Sequence, residues 1–287
     1  MSFKLALQYA LPHHLLSRVV FHATRWRWRP WKNFLIDQIV RRFDVDMREA
    51  IEPDPHAYAH FNAFFTRHLK ADARPQPTAP DAIACPADGR ISQAGSIRDG
   101  RIFQAKGQDF SVAELLADDN AAARYRDGRF VTVYLSPRDY HRVHMPLTGT
   151  LQSTTHVPGR IFSVAPFAVA GVPRLFARNE RLVCHFDGPQ GPFAVVMVGA
   201  MLVSSVSTAW DGLVIPPYAH AITQRDAADR GITLARGAEL GNFNMGSTVI
   251  VLLPGPARLE DLPAEQSVRV GMPLGQLVPP PRPVAQG

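Results

Sequence analysis

Phe193-Ala194-Val195-Val196-Met197-Val198-Gly199-Ala200-Met201-Leu202-Val203 is the longest uninterrupted apolar run in the chain. It is well short of the ~18 to 20 apolar residues that a membrane-crossing helix needs. The run therefore reads as a strand buried on both faces. The same pattern of short β-branched or apolar segments, separated by Gly, Pro and Asp, recurs on either side of it from Ala82 onward. Segments 130–135, 182–186, 193–206 and 248–253 are the clearest. Residues 111–116 are expected to form a short helix, with Ser111 as N-cap and Glu114 three residues later.

The N-terminal part has a different periodicity. Leu7, Leu11, Leu15, Leu16, Val19 and Val20 recur at helical spacing, as do Phe34, Leu35, Ile39, Val40 and Phe43. Pro12 and Pro30 break the pattern. Tyr58, Phe61, Phe64, Phe65 and Leu69 predict a third helix, and Pro75, Pro77 and Pro80 mark a loop into the main body. The expected fold class is α+β, with a helical region over 1–72 packed on a mainly antiparallel β body over 73–287. No internal repeat is visible, and 279–287 reads as a loose end.

A hydrophobic fraction of 46% with 20% charged residues gives enough apolar material for a genuine core and argues against disorder. The net charge of +6 comes from one end: Lys4, Arg18, Arg25, Arg27, Arg29 and Lys32 precede the first acid, Asp37. The rest of the chain is formally neutral. Arg25-Trp26-Arg27-Trp28-Arg29-Pro30-Trp31-Lys32 alternates cations with indoles, which suits an anionic membrane surface rather than nucleic acid. Gln8, Pro12, His13 and His14 interrupt any secretory signal. The two cysteines, Cys85 and Cys184, have no spacing that suggests a disulfide framework or a metal site. A reducing, cytoplasmic setting is expected.

Three stretches could carry chemistry. Gly241-Asn242-Phe243-Asn244-Met245-Gly246-Ser247-Thr248 runs into an apolar strand; by itself Gly-Ser is an ordinary turn. Glycine, however, leaves its carbonyl open to close approach, and a serine hydroxyl one residue later can attack it. Ser136-Pro137-Arg138-Asp139-Tyr140-His141-Arg142-Val143-His144-Met145-Pro146 holds two histidines beside arginines, a set suited to proton transfer and anion binding. With no third ligand at recognisable spacing, no metal is expected. Cys85-Pro86-Ala87-Asp88-Gly89-Arg90 is a turn signal. Its carboxylate gains interest because a histidine acting as base is usually oriented by one.

Together, and in this order, these stretches resemble the bacterial phosphatidylserine decarboxylase family, with its Leu-Gly-Ser-Thr cleavage motif, His-Arg-Val-His segment and Asp-Gly turn. The resemblance extends to Phe61-Asn62, Phe64-Phe65 and Arg67, to Gln104 through Gly107, to Val157-Pro158-Gly159 and to Asn179-Glu180-Arg181. Met245 stands where the family usually has leucine. The resemblance implies a carboxy-lyase matured by self-cleavage between Gly246 and Ser247 into chains 1–246 and 247–287. The two would stay together as a heterodimer, with further dimerisation left open. It also implies a charge relay of Asp88, His144 and Ser247, and a covalent pyruvoyl cofactor derived from Ser247 that forms a Schiff base with the substrate. His141 is a candidate for carboxylate or phosphate contact or for proton donation; spacing alone does not separate His141 from His144. The implied location is the cytoplasmic side of the cell membrane, peripherally bound. Two alternatives remain: a pyruvoyl decarboxylase of a soluble amino acid, and a non-catalytic binder using the basic aromatic segment.

Overall fold

The computed structural model describes residues 3–105, 107–201, 205–218, 220–244, 247–255 and 257–278. The expected loose end at 279–287 and the residues Gly246, Leu202 and Val203 lie outside these. Among the described residues the strand Ser247–Leu253 lies inside a nine-stranded sheet, antiparallel to Gly191–Val198 on one side and to Arg129–Leu135 on the other. Successive side chains of a strand point to opposite faces. Here Val249, Val251 and Leu253 enter one hydrophobic core, and Ile250 and Leu252 enter another. Apolar residues are therefore needed at every position, which is why this segment reads as a continuous run rather than an alternation.

One core is covered by smaller sheets and the other by short helices. Among these, Val112–Leu116 carries the expected capping box, with Ser111 and Glu114 bonded reciprocally. The 193–206 segment is not one strand. Gly191–Val198 ends where Gly199 is captured: its N–H donates to the Glu180 carbonyl, and its own carbonyl accepts from Asn179 Nδ2, both at 2.9 Å. Val206–Thr208 then joins a different, four-stranded sheet with Gly212–Ile215, Glu239–Phe243 and Arg142–His144.

The N-terminal helices α1 (Phe3–Ala10), α2 (His13–Ala23) and α3 (Arg29–Phe43) follow the sequence pattern. Pro12 separates α1 from α2, whereas Pro30 occupies the first turn of α3, where its missing N–H costs nothing. The third predicted helix shrinks to α4, Phe61–Phe65. His60 Nδ1 accepts from Ala63 N to start it, and Thr66 Oγ1 takes the Asn62 carbonyl to end it, so Tyr58 and Leu69 fall outside. The helices are docked on the body. Gln8 Oε1 accepts from Ser163 N at 2.8 Å, Arg160 donates to the Tyr9 carbonyl at 2.9 Å, and Asn62 N donates to the Thr24 carbonyl at 2.9 Å. Gly171 lets α1 approach closely, since a Cβ there would lie 2.4 Å from Leu5.

Candidate active site

The strand Arg142–His144 pairs with Glu239–Phe243, placing His144 opposite Glu239 and Arg142 opposite Asn242. His144 N also donates to the Pro86 carbonyl at 2.8 Å, which brings the Asp-Gly turn beside the histidine segment. Gly89 is required there because a Cβ would lie 2.1 Å from the Tyr134 carbonyl oxygen. Ser247 opens its strand opposite Leu135. From Leu135 the chain turns through Ser136, whose N–H and hydroxyl both donate to Asp139 Oδ2 at 2.7 Å, and so reaches His141. His141 in turn accepts from Phe243 N through its carbonyl at 3.0 Å. The fold thus gathers the three sequence stretches at one place.

Each histidine has a defined tautomer, because a carbonyl can only accept. His144 Nδ1 donates to the Gly237 carbonyl at 2.8 Å, leaving Nε2 as an acceptor 3.2 Å from the Tyr140 hydroxyl. His141 Nδ1 donates to the Asp139 carbonyl at 2.8 Å, leaving Nε2 with a lone pair. Burial lowers the affinity of both for a proton. For His141, wholly enclosed and packed against the Phe65 ring at 4.0 Å, the pKa falls to about 3.

Asp88 is buried, and its carboxylate is held by the Arg74 guanidinium and by Val270 N at 2.8 Å. Among the described residues neither Asp88 nor Ser247 is hydrogen-bonded to His144; the Gly237 carbonyl, not Asp88, orients that ring. The charge of Asp88 still acts on His144 through space, opposing the effect of burial.

Ser247 Oγ, Thr248 Oγ1, His141 Nε2, Asn62 Oδ1 and Arg67 Nε are all buried without a hydrogen-bond partner. An unmade bond of this kind costs ~1 to 3 kcal/mol. Three of these residues stand on the stretches singled out for chemistry, and Asn62 and Arg67 belong to the α4 segment packed beside them. Thr248 points to the opposite face of the strand from Ser247; the unpaired groups of Ser247, His141, Asn62 and Arg67 fit a site kept ready for a reacting group. A free Ser247 hydroxyl at a strand opening, with unpaired imidazole nitrogen in the same region, fits a serine that is to be converted into a carbonyl group.

Comparison with known proteins shows the family. The family model described as phosphatidylserine decarboxylase matches residues 61–276. The chain belongs to the phosphatidylserine decarboxylase family. A second model, described as PSD, matches residues 3–44. A relative from Xanthomonas euvesicatoria pv. vesicatoria is 60% identical over 279 residues, covering 96% of this chain and 99% of its own. One from Xylella fastidiosa is 59% identical over 254 residues, covering 88% and 87%. Both are named phosphatidylserine decarboxylase proenzyme, a name that implies processing of a precursor.

Within this decarboxylase family chain, several residues quoted for the resemblance serve the scaffold. Arg181 is buried and donates to the carbonyls of Glu114, Leu115, Ala177 and Asn179. Asn179 and Gln104 likewise tie loops together through backbone groups. Nothing in the sequence marks Arg74, in the proline-rich loop, or distinguishes Tyr140 from its neighbours in the histidine segment. Both line a polar cavity of about 270 Å³ with Asp88, Arg67 and Arg138. The thiol of Cys85 is buried and pushed up to about 12, so it stays protonated and unreactive.

The lowered proton affinity of His141 predicts a pH dependence of stability. Unfolded, this histidine titrates near 6.5, whereas folded it does so near 3. Between these values the unfolded chain binds a proton that the native chain does not. The contribution is therefore present in full above pH 6.5 and is lost as pH falls toward about 3, by up to ~1.4 kcal/mol per pH unit. Denaturant unfolding of the wild type and of His141→Gln across this range should show a shallower acid slope in the variant.

Proposed function

We propose that the chain decarboxylates phosphatidylserine to phosphatidylethanolamine, using a pyruvoyl group made from its own Ser247 by cleavage at Gly246-Ser247. The observation that carries this reading is the buried, unpartnered Ser247 hydroxyl in a region where an imidazole nitrogen is also unpaired, in a chain of this family.

In maturation, His144 Nε2 takes the Ser247 hydroxyl proton. The oxygen bonds to the Gly246 carbonyl carbon, the peptide C–N bond breaks, and the proton passes to the freed amine. Removal of the Ser247 α-proton then expels Gly246 as a carboxylate by breaking the Cβ–Oγ bond. The resulting dehydroalanine tautomerises to an imine, and water displaces ammonia. The pyruvoyl group supplies an electrophilic ketone that accepts the substrate amine and the electron pair left by departing carbon dioxide. His144 suits the role of base because its Nδ1–H is fixed by the Gly237 carbonyl, which leaves Nε2, now beside the Tyr140 hydroxyl, as the acceptor. His141 is too weakly basic to share that role, and its Nε2 lone pair is assigned to accepting a hydrogen bond from substrate rather than to taking a proton or binding an anion. Asp88 contributes a negative field at His144.

A lipid substrate is favoured over a soluble amino acid by the surface of the N-terminal helices. Leu15, Val19, Trp26 and Trp28 are 61%, 59%, 56% and 56% exposed. Arg18, Arg27 and Arg29 are exposed beside them. Two further bases of this group differ: Lys32 is buried and donates to the His56 carbonyl, and Arg25 packs on the Phe21 ring. At ~1 kcal/mol for each base at an anionic surface, the electrostatic attraction is then about 3 kcal/mol. Among the described residues no helix is long and apolar enough to cross a membrane, and peripheral attachment to the cytoplasmic leaflet is the proposed location.

Release of carbon dioxide from phosphatidylserine but not from free serine tests the substrate assignment. Flotation with phosphatidylserine liposomes tests the surface. Trp26→Ser with Trp28→Ser should lower the floated fraction several-fold while the chain still cuts itself. Flotation equal to that of the wild type would place the attachment elsewhere.

A further inference from the structure

The cleaved bond lies where the chain crosses from one sheet to another. Glu239–Phe243 belongs to the four-stranded sheet and Ser247–Leu253 to the nine-stranded one. Downstream of the bond, Ser247 is held by its ladder. Upstream, Asn244 stands just beyond the strand, and its amide is fully engaged. Oδ1 accepts from Asn62 Nδ2 at 2.9 Å and from Asn242 Nδ2 at 3.3 Å. Nδ2 donates to Ser205 Oγ at 3.0 Å and to Ser207 Oγ at 3.2 Å, and the backbone N–H donates to the Ser205 carbonyl at 2.9 Å. Asn62, Asn244 and Ser205 are all buried.

Attack of Oγ on the preceding carbonyl closes a small ring through N, Cα and Cβ of the same serine. The reaction needs the carbonyl carbon held within contact of the oxygen, which demands that both sides of the peptide be anchored. We propose that Asn62 and Asn244 are positioning residues for self-cleavage, a clamp that fixes the upstream side while the nine-stranded sheet fixes the downstream side. The step they assist is the acyl shift described above, in which the Oγ–C bond forms, the C–N bond breaks and the hydroxyl proton moves to the amine. Asn62 brings a reference point from outside both sheets, because its own backbone N–H is tied to Thr24 at the end of α2.

This inference rests on the self-cleavage reading, and its test keeps the two apart. Freshly synthesised chains would be followed on denaturing gels over time. Asn244→Ala and Asn62→Ala should cut ~10- to 100-fold more slowly than the wild type, the effect of displacing a reacting group by about 1 Å. Asn244→Asp should recover most of the rate, because the Ser205 and Ser207 hydroxyls can turn to donate to a carboxylate. Hydroxylamine, which cleaves esters, should not hasten cutting of the alanine variants, since the ester has not formed. Normal rates in both alanine variants would overturn the proposal. So would rescue by hydroxylamine, which would put the defect in elimination, or an aspartate variant as slow as alanine, which would mark a packing defect. A wild type that stays uncut would instead sink the self-cleavage reading itself.

Discussion

Ser247→Ala should yield one uncut chain without decarboxylase activity. The substitution removes both the attacking oxygen and the atoms from which the ketone is made, so the loss is complete rather than partial. The fold should survive. Ser247 Oγ is buried and makes no hydrogen bond, and removing an unsatisfied hydroxyl relieves a penalty of ~1 to 3 kcal/mol. The variant should therefore be at least as stable as the uncut wild-type chain. A denaturing gel, a melting curve and an assay of carbon dioxide release check the three statements together.

His144→Ala should slow cutting by ~10³-fold or more, the usual consequence of removing the base from a serine nucleophile. His141→Ala should still cut, since that imidazole, with a pKa of about 3, is a poor proton acceptor. Its loss opens a space against Phe65, so it should cost stability instead. Because the His144 pKa is also lowered from 6.5, the base is already neutral at pH 7, and wild-type cutting should fail only as pH drops below that range. Asp88→Asn separates the relay from the scaffold: loss of the field at His144 slows cutting, whereas a structural role through Arg74 appears as a lowered melting temperature. Normal processing of His144→Ala beside failure of His141→Ala would reverse the two assignments.

The central strands were legible because burial on both faces demands apolar residues at every position, as in Val249 through Leu253. The capping box at Ser111 was legible because its logic is local. The third helix is shorter than its periodicity predicts: Phe61, Phe64 and Phe65 have helical spacing, but Thr66 closes the last turn on Asn62, a side-chain choice that periodicity does not register. The members of the site came from their order along the chain and the resemblance, while their bonds did not. Asp88 takes Arg74 and Val270, and Asn244 takes Asn62 from 182 positions away. Lys32 looked like a surface cation and is buried because the His56 carbonyl lies over it. Each of these depends on how distant segments meet.

Intact mass measurement of the purified chain, with analysis of the N-terminus of the smaller fragment, tests the central claim most directly. The account predicts two species, 1–246 and 247–287, the smaller lighter by one ammonia than a chain beginning with free serine, closed to Edman degradation and labelled when borohydride traps substrate on it. A single species of full length, or a small fragment with a free N-terminal serine, would contradict it.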